Sequence, residues 1–133
     1  MAKSYKSWVR NLVANVSAEL NLQGWRIDLC WEKDYPDGND SVVAHVEVMS
    51  DYYKASIHFT PYAEEIWKEG RVEVLGECIV HELVHILVDP VYQIAKKSSS
   101  EVTFPYLTSM NEQTTQRITR IVMQLLPPKF FSR

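Results

Sequence analysis

Between Arg71 and Pro90 the apolar side chains Val72, Leu75, Ile79, Val80, Leu83, Ile86 and Leu87 recur at three- and four-residue intervals. Only an α-helix gathers such positions onto one side, so residues 72–88 are predicted to form an amphipathic helix that must lie on another layer of structure. Asp89-Pro90 is read as its end, because a residue before proline avoids the helical region. The polar side carries His81-Glu82-Leu83-Val84-His85. Residues four apart stand one turn above each other on a helix, so the two imidazoles face one point from a rigid support, as a zinc ion requires. Glu82 is offset around the helix, where its carboxylate can reach a zinc-activated water without being a ligand. The pattern points to hydrolysis by water attack on a carbonyl.

The rest of the chain supplies the layer for that helix. Tyr5, Trp8, Val9, Leu12, Val13, Val16 and Leu20 follow helical spacing and predict a first helix that stops near residues 21–24. Trp25, Ile27, Leu29 and Trp31 alternate with polar residues, the signature of a half-buried strand. Residues 34–40 have turn composition. Val42, Ala44, Val46 and Val48 mark a second strand, and Tyr53, Ala55, Ile57 and Phe59 a third. Consecutive strands on short connections predict an antiparallel meander. Thr60-Pro61 starts a helix that Gly70 stops. Residues 91–108 show no clear period beyond a helical turn near residues 92–97, and a last helix is expected over residues 110–126, closed by Pro127-Pro128. The expected fold class is α+β: an N-terminal helix, a three-stranded antiparallel sheet, then the metal-motif helix and a C-terminal helix, in a single domain spanning residues 1–133.

Charge and composition exclude several classes. The net charge is −3, without a polybasic run, which argues against nucleic acid as a partner. No apolar run is long enough for a membrane span and the N-terminal residues lack a secretory apolar stretch, so a cytoplasmic location is expected. Cys30 and Cys78 do not form a disulfide framework and neither belongs to a Cys-x-x-Cys pair.

Two histidines leave zinc short of the three protein ligands a catalytic site uses. The other histidines, His45 and His58, fall on predicted strands opposite the apolar positions and are read as solvent-facing. A carboxylate is therefore needed, and Glu112 is the leading candidate, 27 positions after His85 and at the start of the expected last helix. Ser109 and Glu112 also have capping-box spacing, which would occupy the glutamate differently. Thr115, Gln116 and Thr119 extend a polar stripe from Glu112, as if toward a wet site, while Glu101 is a weaker alternative ligand. Asp89 suits a supporting position behind the ligands, and Glu77 could orient His81. Gly76, inside the helix, implies close packing against a neighbour. Candidates for donating to the oxyanion are Tyr92, Tyr106 and His58.

His81-Glu82-Leu83-Val84-His85, then Asp89, then Asn111-Glu112 resembles the pattern of the gluzincin metallopeptidases, thermolysin among them. The small size, the strand ending Ile57-His58-Phe59 and the closing Leu125-Leu126-Pro127 are similar to the minimal ImmA/IrrE-like peptidases. The resemblance implies His81, His85 and Glu112 as ligands of Zn2+, Glu82 as catalytic base, and Asp89 and Asn111 behind the ligands. It implies a peptide or protein substrate. It is specific over residues 75–126 and architectural before them. Gln116 stands where thermolysin-like enzymes carry an aspartate, and Asp89 where ImmA/IrrE-like sequences often place a histidine. The rival readings are a zinc-containing regulatory or binding module with little proteolysis, a zinc hydrolase for non-peptide substrates, and a DNA-associated peptidase resembling SprT-like proteins, which would need a third histidine.

Overall fold

The apolar stripe of the metal-motif segment is the floor of the core: Leu75, Ile79, Val80, Leu83, Val84 and Ile86 are fully buried. In the computed structural model, which describes residues 3–133, they belong to a 26-residue helix, α3 (Val72–Lys97). Before it come α1 (Tyr5–Glu19), β1 (Arg26–Trp31), β2 (Ala44–Met49), β3 (Lys54–Phe59) and α2 (Pro61–Lys68), and after it α4 (Phe104–Leu125). Short 3-10 turns cover Pro36–Gly38, Ser50–Tyr52, Glu101–Thr103 and Pro128–Phe131. The α+β class expected from the sequence holds. Among the described residues no helix is long and apolar enough to cross a membrane.

The sheet differs from the expected meander. Its order is β1-β3-β2; β2 pairs antiparallel with β3, but β1 pairs parallel with it. The reason lies in burial and loop length. Ala55, Ile57 and Phe59 of β3 are buried completely, which suits a central strand, whereas β1 and β2 are half-buried and take the edges. Residues 32–43 are too long for a hairpin and carry the chain past the end of β3, as parallel neighbours require a crossover. The β2–β3 connection is tight, with Tyr53 in the left-handed region (φ 52°).

Two helix boundaries also differ. Helix α3 does not stop at Asp89-Pro90 but runs through it to Lys97. A proline in a helix interior costs about 3 kcal/mol, and here tertiary packing outweighs it. Tyr92 reaches Thr108 on α4 (3.0 Å) and the Lys96 ammonium sits over the Phe104 ring. Helix α4 starts at Phe104 rather than at residue 110, with Pro105 in its first turn. Ser109 is therefore inside the helix, where it accepts from Gln113 Nε2 (3.3 Å), and the capping-box reading of Glu112 falls. The segment from 91 to 108, expected to be irregular, is mostly helical.

At the start of α2, Pro61 occupies the first turn, but the Thr60 hydroxyl does not cap it; it donates to the Val43 carbonyl (3.1 Å) and so pins the approach to β2. Gly70 ends that helical region in the left-handed conformation (φ 78°). Gly76 meets the expected close neighbour: a Cβ there would run into the ring of Phe131. Trp8 Nε1 donates to the Ser132 carbonyl (2.9 Å), and Arg133 stacks 4.0 Å over Trp67. The C-terminal residues thus tie α1, α2 and α3 together.

Candidate metal centre

Helices α3 and α4 pack side by side and bring His81, His85 and Glu112 together. One ligand atom from each lies within 4.8 Å of the others, a group that could hold a metal ion. Both Nε2 atoms point at the Glu112 carboxylate, His81 at 3.5 Å and His85 at 3.1 Å. Ligand atoms around a tetrahedral zinc, each roughly 2.0–2.1 Å from it, stand about 3.3 Å apart. The two rings meet edge to face, at 84° and 4.7 Å between centroids, so their in-plane lone pairs approach one point from different directions.

Hydrogen bonds set the tautomers. His81 Nδ1 lies 2.9 Å from Gln116 Oε1, while Gln116 Nε2 donates to Glu77 Oε1 at 3.2 Å. A carboxylate can only accept, so the amide NH2 must face Glu77 and the amide oxygen must face His81. Nδ1 of His81 then donates, and its Nε2 is left with a lone pair directed at Glu112. His85 Nδ1 is 3.4 Å from the Thr115 hydroxyl, which is buried between the helices. Burial pushes the His85 imidazole below its ordinary pKa, against the pull of Glu112. A neutral imidazole is the ligating form.

Glu82, on the next position around α3, is half-buried, and burial first and Glu112 second push it up to about 8. It lines a cleft of about 340 Å3 with His81, Cys78 and Gln116 from the helices and Val43 and Ala44 from the approach to β2 and the strand itself. The Cys78 thiol is raised to about 11 by burial and the carboxylates of Glu82 and Glu77, so it stays protonated beside the cleft. A larger groove of about 630 Å3 between α1 and β1 contains no histidine.

The remaining candidates from the sequence are placed elsewhere. Asp89 accepts from the Ser50 hydroxyl and from Gln93 Nε2 (3.3 Å), which fastens α3 to the β2–β3 turn rather than to an imidazole. Asn111 is half-buried beside Glu112 on α4, but the Nδ1 atoms are met by Gln116 and Thr115. Tyr92 is engaged with Thr108, Tyr106 is 68% exposed, and His58 stands on the sheet in a different group. Glu101 lies in the turn before α4 and outside the triad. The role of Thr115 was missed; its signal was its place one turn from Glu112 on the polar stripe of a helix otherwise packed on α3. No protein-family model, curated protein or solved structure matches the chain.

Proposed function

We propose that this protein is a zinc-dependent metallopeptidase of gluzincin type. The observation that carries the reading is the convergence of His81, His85 and Glu112 beside a half-buried carboxyl, Glu82, which lines a cleft together with His81. His81, His85 and Glu112 hold the ion. Zinc in such a site supplies a Lewis acid that polarises a carbonyl and makes water acidic near neutrality. Glu82 accepts the proton of the attacking water and returns it to the leaving amine. Burial and the Glu112 carboxylate favour its protonated form, which makes the carboxylate a stronger base than an exposed one, and a bound divalent cation would pull the other way. Gln116 and Thr115 hold the imidazoles in place, and Glu77 holds Gln116.

The substrate is a peptide in extended form. Strand β2 is an edge of the sheet, with one side free to pair, and the approach to it lines the same cleft as His81 and Glu82. A strand added there gains main-chain hydrogen bonds and passes the ligands. The test is Glu82→Gln. The variant should keep about one zinc at the triad and lose peptide hydrolysis by at least about 100-fold. Full hydrolysis by that variant sinks the reading, and stable partner binding unaffected by it would favour a binding module instead.

A further inference from the structure

The outer face of the sheet holds a second group with the same ligand types. His45 on β2 and His58 on β3 are directly opposite each other, and Glu47 follows two positions along β2 on the same face. One ligand atom from each of the three lies within 4.8 Å of the others. The sequence reading had both histidines pointing freely to solvent, but the pairing register half-buries them, and the His58 side chain is only 18% exposed.

Three further features favour a ligand here. First, His58 Nδ1 lies 2.6 Å from Glu32 Oε1. A carboxylate accepts, so Nδ1 donates and Nε2 carries the lone pair, the arrangement in which a carboxylate orients and strengthens a metal-ligating histidine. Second, His58 Nε2 and His45 Nδ1 are shut off from solvent, and neither has a hydrogen-bond partner among the described residues. Buried polar atoms ordinarily find one. Third, the nearest anionic group to His58 Nε2 is Glu47 Oε2, at 3.9 Å, beyond hydrogen-bond range but close to the spacing of two ligands on one ion. The rings of His45 and His58 lie parallel, 4.7 Å apart. Directly opposed cross-strand residues have Cβ atoms roughly 5 Å apart; with His58 Nδ1 held by Glu32, the His45 ring would turn about Cβ–Cγ to share an ion with His58 Nε2. Cys30 pairs with His58 in register, but burial and the carboxylates of Glu32, Asp28 and Glu47 push its thiol up, and it stays outside the group.

We propose that His45, Glu47 and His58 form a second divalent-metal site, oriented by Glu32, which clasps edge strand β2 to central strand β3. Two imidazoles and one carboxylate suit zinc and other first-row divalent ions of intermediate softness. The site is structural: bridging ligands from two strands favours the paired state, so binding stabilises the fold.

The experiment removes the helix site first, so that its outcome does not depend on the peptidase reading. In the His81→Ala/His85→Ala variant, zinc titration should still show one ion per chain, a rise in Tm with added zinc, and cobalt d–d absorption on substitution with Co2+. Adding His45→Ala/His58→Ala should abolish all three, and Glu32→Gln should weaken binding by about 10- to 100-fold. Should the first variant fail to fold, the wild-type chain is compared with His45→Ala/His58→Ala alone; two ions against one is the expected result. Retention of equal zinc after loss of both sheet histidines overturns the proposal. So does a folded His81→Ala/His85→Ala protein that binds no ion.

Discussion

The two histidine groups of this protein contain the same ligand types and differ in everything around them. On the helices, the imidazoles are one turn apart, their rings meet at 84°, and their outer nitrogens face an amide and a hydroxyl. On the sheet, the imidazoles oppose each other across two strands, their rings are parallel, and the outer nitrogen of His58 faces a carboxylate. Among the described residues, the helix group has beside it a half-buried carboxyl with a strongly raised pKa, Glu82, and a cleft that His81 lines. The contrast shows that a ligand set alone does not define chemistry. On the proposed reading, a proton acceptor beside the ligands and a cleft next to them separate a reactive centre from a clasp. Neutral support at Gln116 would also leave an ion bound between the helices more electrophilic than anionic support like that of Glu32.

The comparison can be broken most sharply at Glu112. Replacing it with alanine removes a ligand from the helix group alone, so zinc affinity there should fall by more than about 100-fold, the upper range for supporting partners. Hydrolysis should be lost with it, while the sheet site is untouched. Competitive chelator titration gives both affinities, and equal loss at the two sites would show that they are not independent. Gln116→Leu tests the support instead of the ligand: a drop of about 10- to 100-fold in helix-site affinity is expected, with hydrolysis recovered at higher zinc.

Acidity distinguishes the two groups next. In the metal-free protein the Glu82 pKa is raised from 4.5 to about 8. A carboxyl raised by folding favours the fold when protonated, so its contribution is fully present below the unfolded value and lost as pH climbs through the folded one. Stability of the chelated wild type should decline between about pH 4.5 and 8, by at most about 1.4 kcal/mol per pH unit. Glu82→Gln should flatten that decline; denaturant melts at several pH values read it, and an identical slope in the variant would refute the assignment. The smallest effect concerns the scaffold. Gly76→Ala should destabilise by about 1–2 kcal/mol, since overpacking against Phe131 exceeds the helix-propensity gain. Combining it with Phe131→Ala should cost less than the sum of the two changes, and strict additivity would mean that the contact is not the cause.

The helix centre was legible because its spacing is local. His81, Glu82 and His85 need only the 3.6-residue period, and Glu112 follows from the shortage of other ligands. What escaped the sequence is non-local. The parallel pairing of β1 depends on which strand buries both neighbours, and the sheet histidines meet only through the β2–β3 register. The extension of α3 through Pro90 depends on Tyr92 and Lys96 reaching α4, a gain invisible to a rule about the residue before proline. Thr115 stood out in the sequence only as part of a polar stripe; that it meets His85 depends on how α3 packs on α4.

Pro90 carries a consequence for how the molecule comes apart. Having no amide hydrogen, it leaves the Ile86 carbonyl without its usual helical donor, whereas the His85 carbonyl is served by Asp89, the last residue before the break. Every backbone bond that shapes the turn from His81 to His85 therefore closes before the proline. Residues 91–97, with Val91 and Ile94 exposed, are expected to unravel more readily than the ligand-bearing turn. Amide hydrogen exchange should step at that position, fast beyond it and slow through residues 79–86, so that breathing of the helix end leaves His81 and His85 in place.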